Sequence, residues 1–397
     1  MNDVNMLPKG FDYLAEAQQE KFLMLKKIKD DGGKIVGIYC SYVPKELIYA
    51  AGALMVALCA TSEEPIAAAE QELPRNLCPL IKASYGHAIT DTCPFFYFSD
   101  FIVGETTCDG KKKMFEQLNK VKPTHVMMLP QTNQQPRAFD YWEEEVRHFK
   151  EVLEDQYQIE ITDDMLYDEI KKSNEERNNL VEFYELSTLD PSPISGLEQF
   201  NVTEAFGFQM DRELKNKELK KRTQELREYW EKELKGNKDP RPRILLSGCP
   251  MGGVKEKIIK AIEDLGAVIV AFDSCTGLRA QMENIEETRD KDPIRLISDK
   301  YLKVNCSVMT PNCGRMDDIR YLVDHYHVDA IIEVTLVACH TFNIESSIVQ
   351  KLSKDLGLPY LHLESDYSQQ DKGQISTRIE AFLELVEEQK EDNVSRE

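Results

Sequence analysis

Ten cysteines stand in a chain of 397 residues that carries a formal charge of −21. In a reducing compartment thiols stay free, so metal ligation, redox chemistry or core packing must account for them. No Cys-x-x-Cys pair occurs, which argues against a zinc ribbon, a thioredoxin-like couple or a bacterial ferredoxin pattern; the closest two are Cys306 and Cys313. A shared site would have to be assembled by folding from distant segments. Thiolates are the soft donors that iron–sulfur clusters prefer, and their charge must be offset by iron, backbone amides or cations.

The elements around these residues decide which of them can meet. Cys40 follows the short apolar run Lys34–Tyr39 and precedes a helix opened by Pro44; Cys249 follows the run RILLSG, in the equivalent place of the second half. Cys275 follows AVIVAF, and Cys339 follows DAIIEVTL after two residues. Four thiols thus fall just past expected strand ends, where core packing has no reason to put them. Cys78 in PRNLCPLIK and Cys108 in GETTCDGKKK lie in text that reads as loop. Lys111 to Lys113 read as a solvated helix start that could also offset thiolate charge. Cys59, closing the run ALMVALC, and Cys93, between Thr92 and Pro94, are expected to be packing residues.

Other chemistry is sparse. His340, beside Cys339, could supply a proton or serve only as a hydrogen-bonded support. Glu46 and Glu105 could also handle protons, although a helix-start glutamate and a loop glutamate are common surface features. GCPMGGVKEK follows a strand and opens a helix as a phosphate loop would, but Val254-Lys255-Glu256 stands where a Walker loop needs Lys and then Ser or Thr. ATP binding by this chain is not indicated. Its glycines could instead admit the backbone close to a bulky cofactor.

Strands alternating with helices predict an α/β protein of two Rossmann-like, open parallel-sheet domains. The expected divisions are residues 1–140, with an N-terminal helix from Phe11 to Lys29 and the first α/β domain; 141–240, a charged helical connector broken at Pro191-Ser192-Pro193, with no site in it; and 241–397, the second α/β domain. A C-terminal helix is expected from Ile375 to Glu388, with a loose tail after Gln389. Such sheets place ligands at the carboxyl ends of their strands, so the site is expected in the interdomain cleft. The negative charge disfavours nucleic acid or an anionic membrane as partner. With no secretory apolar core at the start and no run of 18 apolar residues, the protein is expected in the cytoplasm.

LPRNLCPLIKASYGHAITDTCPFFYFSDFIVGETTCDGKKK, from Leu73 to Lys113, resembles the most characteristic text of the 2-hydroxyacyl-CoA dehydratase and benzoyl-CoA reductase superfamily. YCSYVPKELIYAAGA, GCPMGG, DSCTGLR, CSVMTPN, VACHTF and LESDYSQQDKGQISTRIEAFLE extend the resemblance over nearly the whole chain, the charged middle least. By motif, Cys78, Cys108 and Cys339 look like the ligands of a 4Fe–4S cluster. The wealth of further cysteines resembles the double-cubane branch, which carries an 8Fe–9S unit. The resemblance then implies extra ligands from Cys40, Cys249 and Cys275, with Cys306 in reserve. It also implies a homodimer, anaerobic chemistry and a separate ATP-hydrolysing iron–sulfur activator that feeds low-potential electrons to the reduction of a small-molecule substrate. Two alternatives stay open: a 2-hydroxyacyl-CoA dehydratase subunit with one 4Fe–4S cluster acting through a ketyl radical, or an iron–sulfur electron carrier or scaffold. Departures from the pattern are modest: Asn305 precedes Cys306, Cys313 matches no expected role, and Ser365 stands where Thr is expected.

Overall fold

A computed structural model describes residues 16–208 and 210–394. The first part of the expected N-terminal helix lies outside these residues; the described part runs Glu16–Asp30.

Eight strands form two sheets. The first contains β1 (Lys34–Ile38), β2 (Ala53–Ala57), β3 (Phe101–Glu105) and β4 (Thr124–Met127), in the order β2-β1-β3-β4. The second contains β5 (Arg243–Gly248), β6 (Val268–Asp273), β7 (Ala330–Leu336) and β8 (Tyr360–Ser365), in the order β6-β5-β7-β8. Every pairing is parallel. The two halves therefore repeat one topology, and in each the strand order reverses at the first strand, between β1 and β3 or β5 and β7. Open parallel sheets bind ligands outside the carboxyl ends of strands at that point.

The sequence predicts these strands to within two or three residues, except β3. FIVGE, whose last two residues fall in the text GETTCDGKKK read as loop, is a fully buried central strand. Gly104 is needed there: a Cβ would fall 2.4 Å from the Phe115 ring. The other text read as loop, PRNLCPLIK, ends in the start of the helix Pro79–Ile89, opened by proline in its first turn. Gly248, at φ +128, lets β5 end directly against β7, where a Cβ would lie 1.9 Å from the Val334 carbonyl oxygen.

The charged middle is helical as expected, with helices Pro136–Tyr157, Asp163–Tyr184, Gly196–Phe208 and Arg212–Tyr229, and a break around Pro191. It is not merely a solvated surface, because Glu169, Asn174, Glu176, Arg177 and Lys215 are buried. The last helix runs Lys372–Val394, so the chain after Gln389 continues the helix where a loose tail is expected. Among the described residues no helix is long and apolar enough to cross a membrane.

Polar bonds stitch the two halves together. The Tyr42 hydroxyl donates to the Val304 carbonyl at 2.6 Å, and Tyr367 donates to the Ala60 carbonyl at 3.2 Å. Glu46 is fully buried, accepting from Arg177 and from Tyr301, both at 2.9 Å. Burial opposes its ionisation, but Arg177 and Lys45 outweigh that and hold the carboxyl below its usual range. The expectation of a surface glutamate at this helix start is corrected: its carboxylate ties the first sheet to the middle helices and the second half.

Candidate functional site

The two sheets present cysteines at matching places. Cys40 lies two residues beyond β1 and Cys249 one beyond β5; Cys59 and Cys275 lie two beyond β2 and β6; Cys108 and Cys339 lie three beyond β3 and β7. Each of the first two strands of a half, and the strand at its reversal point, thus delivers a thiol to the carboxyl edge. Cys78, Cys108 and Cys339 each occupy the cap position immediately before a helix, Pro79–Ile89, Asp109–Leu118 and His340–Asp355 respectively. A helix start offers unpaired amides and a partial positive charge, both of which favour a thiolate.

The side chains of Cys78 and Cys339 are neighbours: their interaction, with the Leu80 and Ile81 amides, draws Cys78 below its usual range, while the same interaction and burial push Cys339 up. Cys249 is buried next to Cys339 and Cys275, and burial raises it. Cys40 is raised by burial and by Glu105, and it also lies close to Cys275 and Cys306. Burial and Cys275 push Cys306 up to about 11. Six of the seven cysteines singled out from the sequence therefore adjoin one another, Cys306 standing with Cys40 and Cys275 rather than apart, while Cys108 is linked to them through Lys111. Among the described residues no three Cys, His, Asp or Glu side chains are gathered to hold a single metal ion.

Charges of both signs surround the thiols. Lys111, expected to be solvated, points inward: its ammonium donates to the Tyr39 carbonyl at 2.7 Å and faces Cys59, Cys40, Glu105 and Cys108. Burial would discharge it, but these neighbours prevail and keep it protonated. Lys112 and Lys113 are exposed, paired with Asp109 and Glu116. Glu105 is a correction too, since it closes β3 fully buried and neither carboxylate oxygen has a hydrogen-bond partner among the described residues. Burial raises it to about 7.

Arg279 and Arg315 form a second cationic support that sequence reasoning missed. Arg279 lies 3.9 Å from the Cys275 sulfur and donates to Asp273 and to the Gly248 carbonyl. Arg315 is fully buried among Asp273, Glu333 and Glu345. The text DSCTGLR carried a signal for Arg279, because a cation four residues after a thiol in a turn-rich segment can fold back on it.

The remaining candidates fall outside this arrangement or only touch it. Cys93 accepts from the Phe96 amide at 3.5 Å as a helix cap, and Cys313 is exposed. His340 is exposed at the first position of its helix. Cys59 packs against the core as expected, but past the end of β2, where it donates to the Tyr39 carbonyl at 2.9 Å and also lines a cavity with Cys40 and Cys275. The spaces beside Gly252 and Gly253 do not admit a cofactor, for Thr61, Glu204 and the Tyr367 ring already fill them.

An iron–sulfur group fits these residues. The donors are soft, three of them cap helices, Lys111 and Arg279 stand close enough to offset their charge, and neither oxygen of the buried Glu105 carboxyl has a hydrogen-bond partner among the described residues. A two-sheet α/β protein with thiols converging on the carboxyl edges of both sheets is the class defined by this fold and site. Residues 40–386 match the family model HGD-D, the 2-hydroxyglutaryl-CoA dehydratase D-component. The chain belongs to that family, within the 2-hydroxyacyl-CoA dehydratase superfamily. It is 43% identical over 388 residues to "Putative dehydratase subunit YjiM" of Escherichia coli (strain K12), covering 97% of this chain and 100% of that one. It is 25% identical over 374 residues to the (R)-2-hydroxyglutaryl-CoA dehydratase subunit beta of Acidaminococcus fermentans, covering 91% and 95%. Against the (R)-phenyllactyl-CoA dehydratase beta subunit of Clostridium sporogenes the identity is 21% over 380 residues, covering 94% and 98%.

Proposed function

We propose that the chain is an iron–sulfur reductase that holds an 8Fe–9S double-cubane cluster on its cysteines. The observation that carries this reading is the convergence of six thiols from both halves, with Cys108 linked to them through Lys111, more than one cubane would use. Cys78, Cys108 and Cys339 would hold one cubane from their helix starts. Cys40, Cys275 and either Cys249 or Cys306 would hold the other, with Cys249 standing nearer Cys339 and Cys306 nearer Cys40. When bound, the group would supply low-potential electrons to a small substrate. Lys111 and Arg279 would offset thiolate charge, and the buried Glu105 carboxyl would hold a proton close to Cys40. His340, exposed, is a less direct proton source. In this reading electrons come from a separate ATP-hydrolysing activator, the active form is a homodimer, and the protein works in the cytoplasm.

A second reading is favoured by the relatives, two of which are named as beta subunits of acyl-CoA dehydratases. In it the chain holds one 4Fe–4S cluster and acts with another subunit to dehydrate a 2-hydroxyacyl-CoA. Anaerobic turnover distinguishes the two. With an activator and ATP, the reductase reduces a small alkyne without any partner subunit and leaves 2-hydroxyacyl-CoA unchanged, whereas a dehydratase subunit does the reverse once paired. Failure with every substrate despite ATP-driven reduction would leave an electron carrier.

A further inference from the structure

A cavity of about 300 Å³ opens beside Cys40, Cys59 and Cys275. Its floor is apolar, with Leu54, Met55, Leu180, Phe206 and Met210. In a chain of net charge −21 its lining also gathers basic side chains, Lys45, Lys111, Arg177, Arg212 and Lys215, with Lys300, which burial lowers to about 7, against the carboxylate of Glu176. Half of these, Arg177, Arg212 and Lys215, come from the middle helices, in a region where the sequence suggested no site.

The cations are crowded. Lys45 at 3.0 Å, Arg212 and Lys215 at 3.8 Å all converge on Glu176. Arg212 shares its other end with Glu169, which Lys172 also contacts, so four cations meet two carboxylates. Burial, against the pull of Glu176 but with the push of Lys45 and Arg212, lowers Lys215 to about 8. Arg177, also lining the cavity and nearly fully buried, is already committed to Glu46 at 2.9 Å and to Asn174 at 2.7 Å. With Arg177 neutralised by Glu46, the surplus of positive charge rests on Lys45, Arg212 and Lys215 gathered around Glu176, and a further anion would complete it.

We propose that this cavity binds a small carboxylic acid as its free anion, the carboxylate between Arg212, Lys215 and Lys45 and the hydrocarbon along the apolar lining toward Cys40 and Cys275. This deepens the reductase reading by naming the substrate class, and it rests on that reading for the role of the thiols but not for binding. The volume is at the small end of ligand pockets, too little to enclose a CoA thioester whole.

Isothermal titration of the full-length, iron-loaded protein with hexanoate, hexanamide and hexanoyl-CoA tests the assignment. Hexanoate is expected to bind and hexanamide to bind about tenfold more weakly or worse, as expected for a lost charge-assisted contact. Lys215→Gln should weaken hexanoate by about tenfold as well. Glu176→Gln, which removes the internal competitor, should tighten it several-fold, the opposite of what loss of a merely structural contact would do. Equal binding of acid and amide, no binding at millimolar acid, or unchanged or weaker binding by Glu176→Gln overturns the proposal. So does tight binding of hexanoyl-CoA that hexanoate cannot displace, which would assign the cations to CoA phosphates. Because heat is read rather than turnover, a protein that holds iron but not hexanoate sinks this inference alone, and one that binds hexanoate without iron sinks the cluster reading alone.

Discussion

Cys78 and Cys339 come from opposite halves of the chain, each caps a helix, and their side chains are neighbours. A pair of sulfurs brought together from two halves is a weak structural fastener, since a thiol is a poor donor and acceptor. As ligands they would be far better used. Cys78→Ser and Cys339→Ser are therefore expected to lose about half or more of the bound iron, because serine oxygen is a harder donor. Cys93→Ala and Cys313→Ala should keep all of it, and so should Cys59→Ala, whose thiol is committed to the Tyr39 carbonyl. Iron per chain and electron paramagnetic resonance check each variant; equal retention in both groups would remove the ligand assignment.

Lys111 separates from its neighbours in the same test. Lys111→Met takes away a buried cation that faces three thiols and Glu105, so a bound cluster should become harder to reduce. The potential should fall by about 59 mV for each 1.4 kcal/mol of lost attraction. Lys112→Met, at an exposed position, should leave the potential where it was. A redox titration in which both variants match the parent would show that Lys111 has no electrostatic role.

Arg315 is fully buried and joins Asp273, Glu333 and Glu345 beneath the second sheet's carboxyl edge. Removing one partner of such a group strands the others without compensation, at about 3 to 5 kcal/mol. Arg315→Met should lower the denaturant midpoint accordingly, whereas the exposed Arg320→Met should change it by less than about 0.5 kcal/mol. A small loss at Arg315 would mean that water reaches the carboxylates.

His87 predicts a pH dependence of stability. It lies in the helix that Cys78 opens, held between Ser62 and Thr92, and burial depresses it to about 4. Unfolded, it titrates near 6.5, at about the ordinary histidine value. Between those values the unfolded chain binds more protons, so its contribution to stability is complete above about pH 6.5 and is lost as pH falls toward about 4. On the order of 1 to 2 kcal/mol should be lost over that range. His87→Gln should flatten this part of a stability profile; an unchanged slope would place the titration elsewhere, His125 being the other histidine that burial depresses to about 4.

Much of this was legible in the sequence because it depends on local patterns. Runs such as RILLSG and AIIEVTL can only be buried parallel strands, and a thiol just past such a run must face the sheet edge. The second set of residues depends on tertiary neighbours instead. Lys111 looks like any lysine in GKKK until the Tyr39 carbonyl is seen in front of it, and Glu105 looks like loop until FIVGE is recognised as a central strand. Cys59 was hidden by a boundary: the apolar run continues to residue 59, but the strand stops at Ala57. Arg177, Arg212 and Lys215 sit in helices rich in both charges, where periodicity cannot tell a solvated ion pair from a buried one.

The central claim is that thiols from both sheets hold more iron than one cubane needs. Iron and acid-labile sulfide, measured per chain on protein purified without oxygen, test it most directly. The account predicts about eight irons and about nine sulfides, falling toward half in Cys40→Ser and in Cys78→Ser alike. About four irons, lost in Cys78→Ser but untouched in Cys40→Ser, would contradict the double cubane and leave the dehydratase subunit standing.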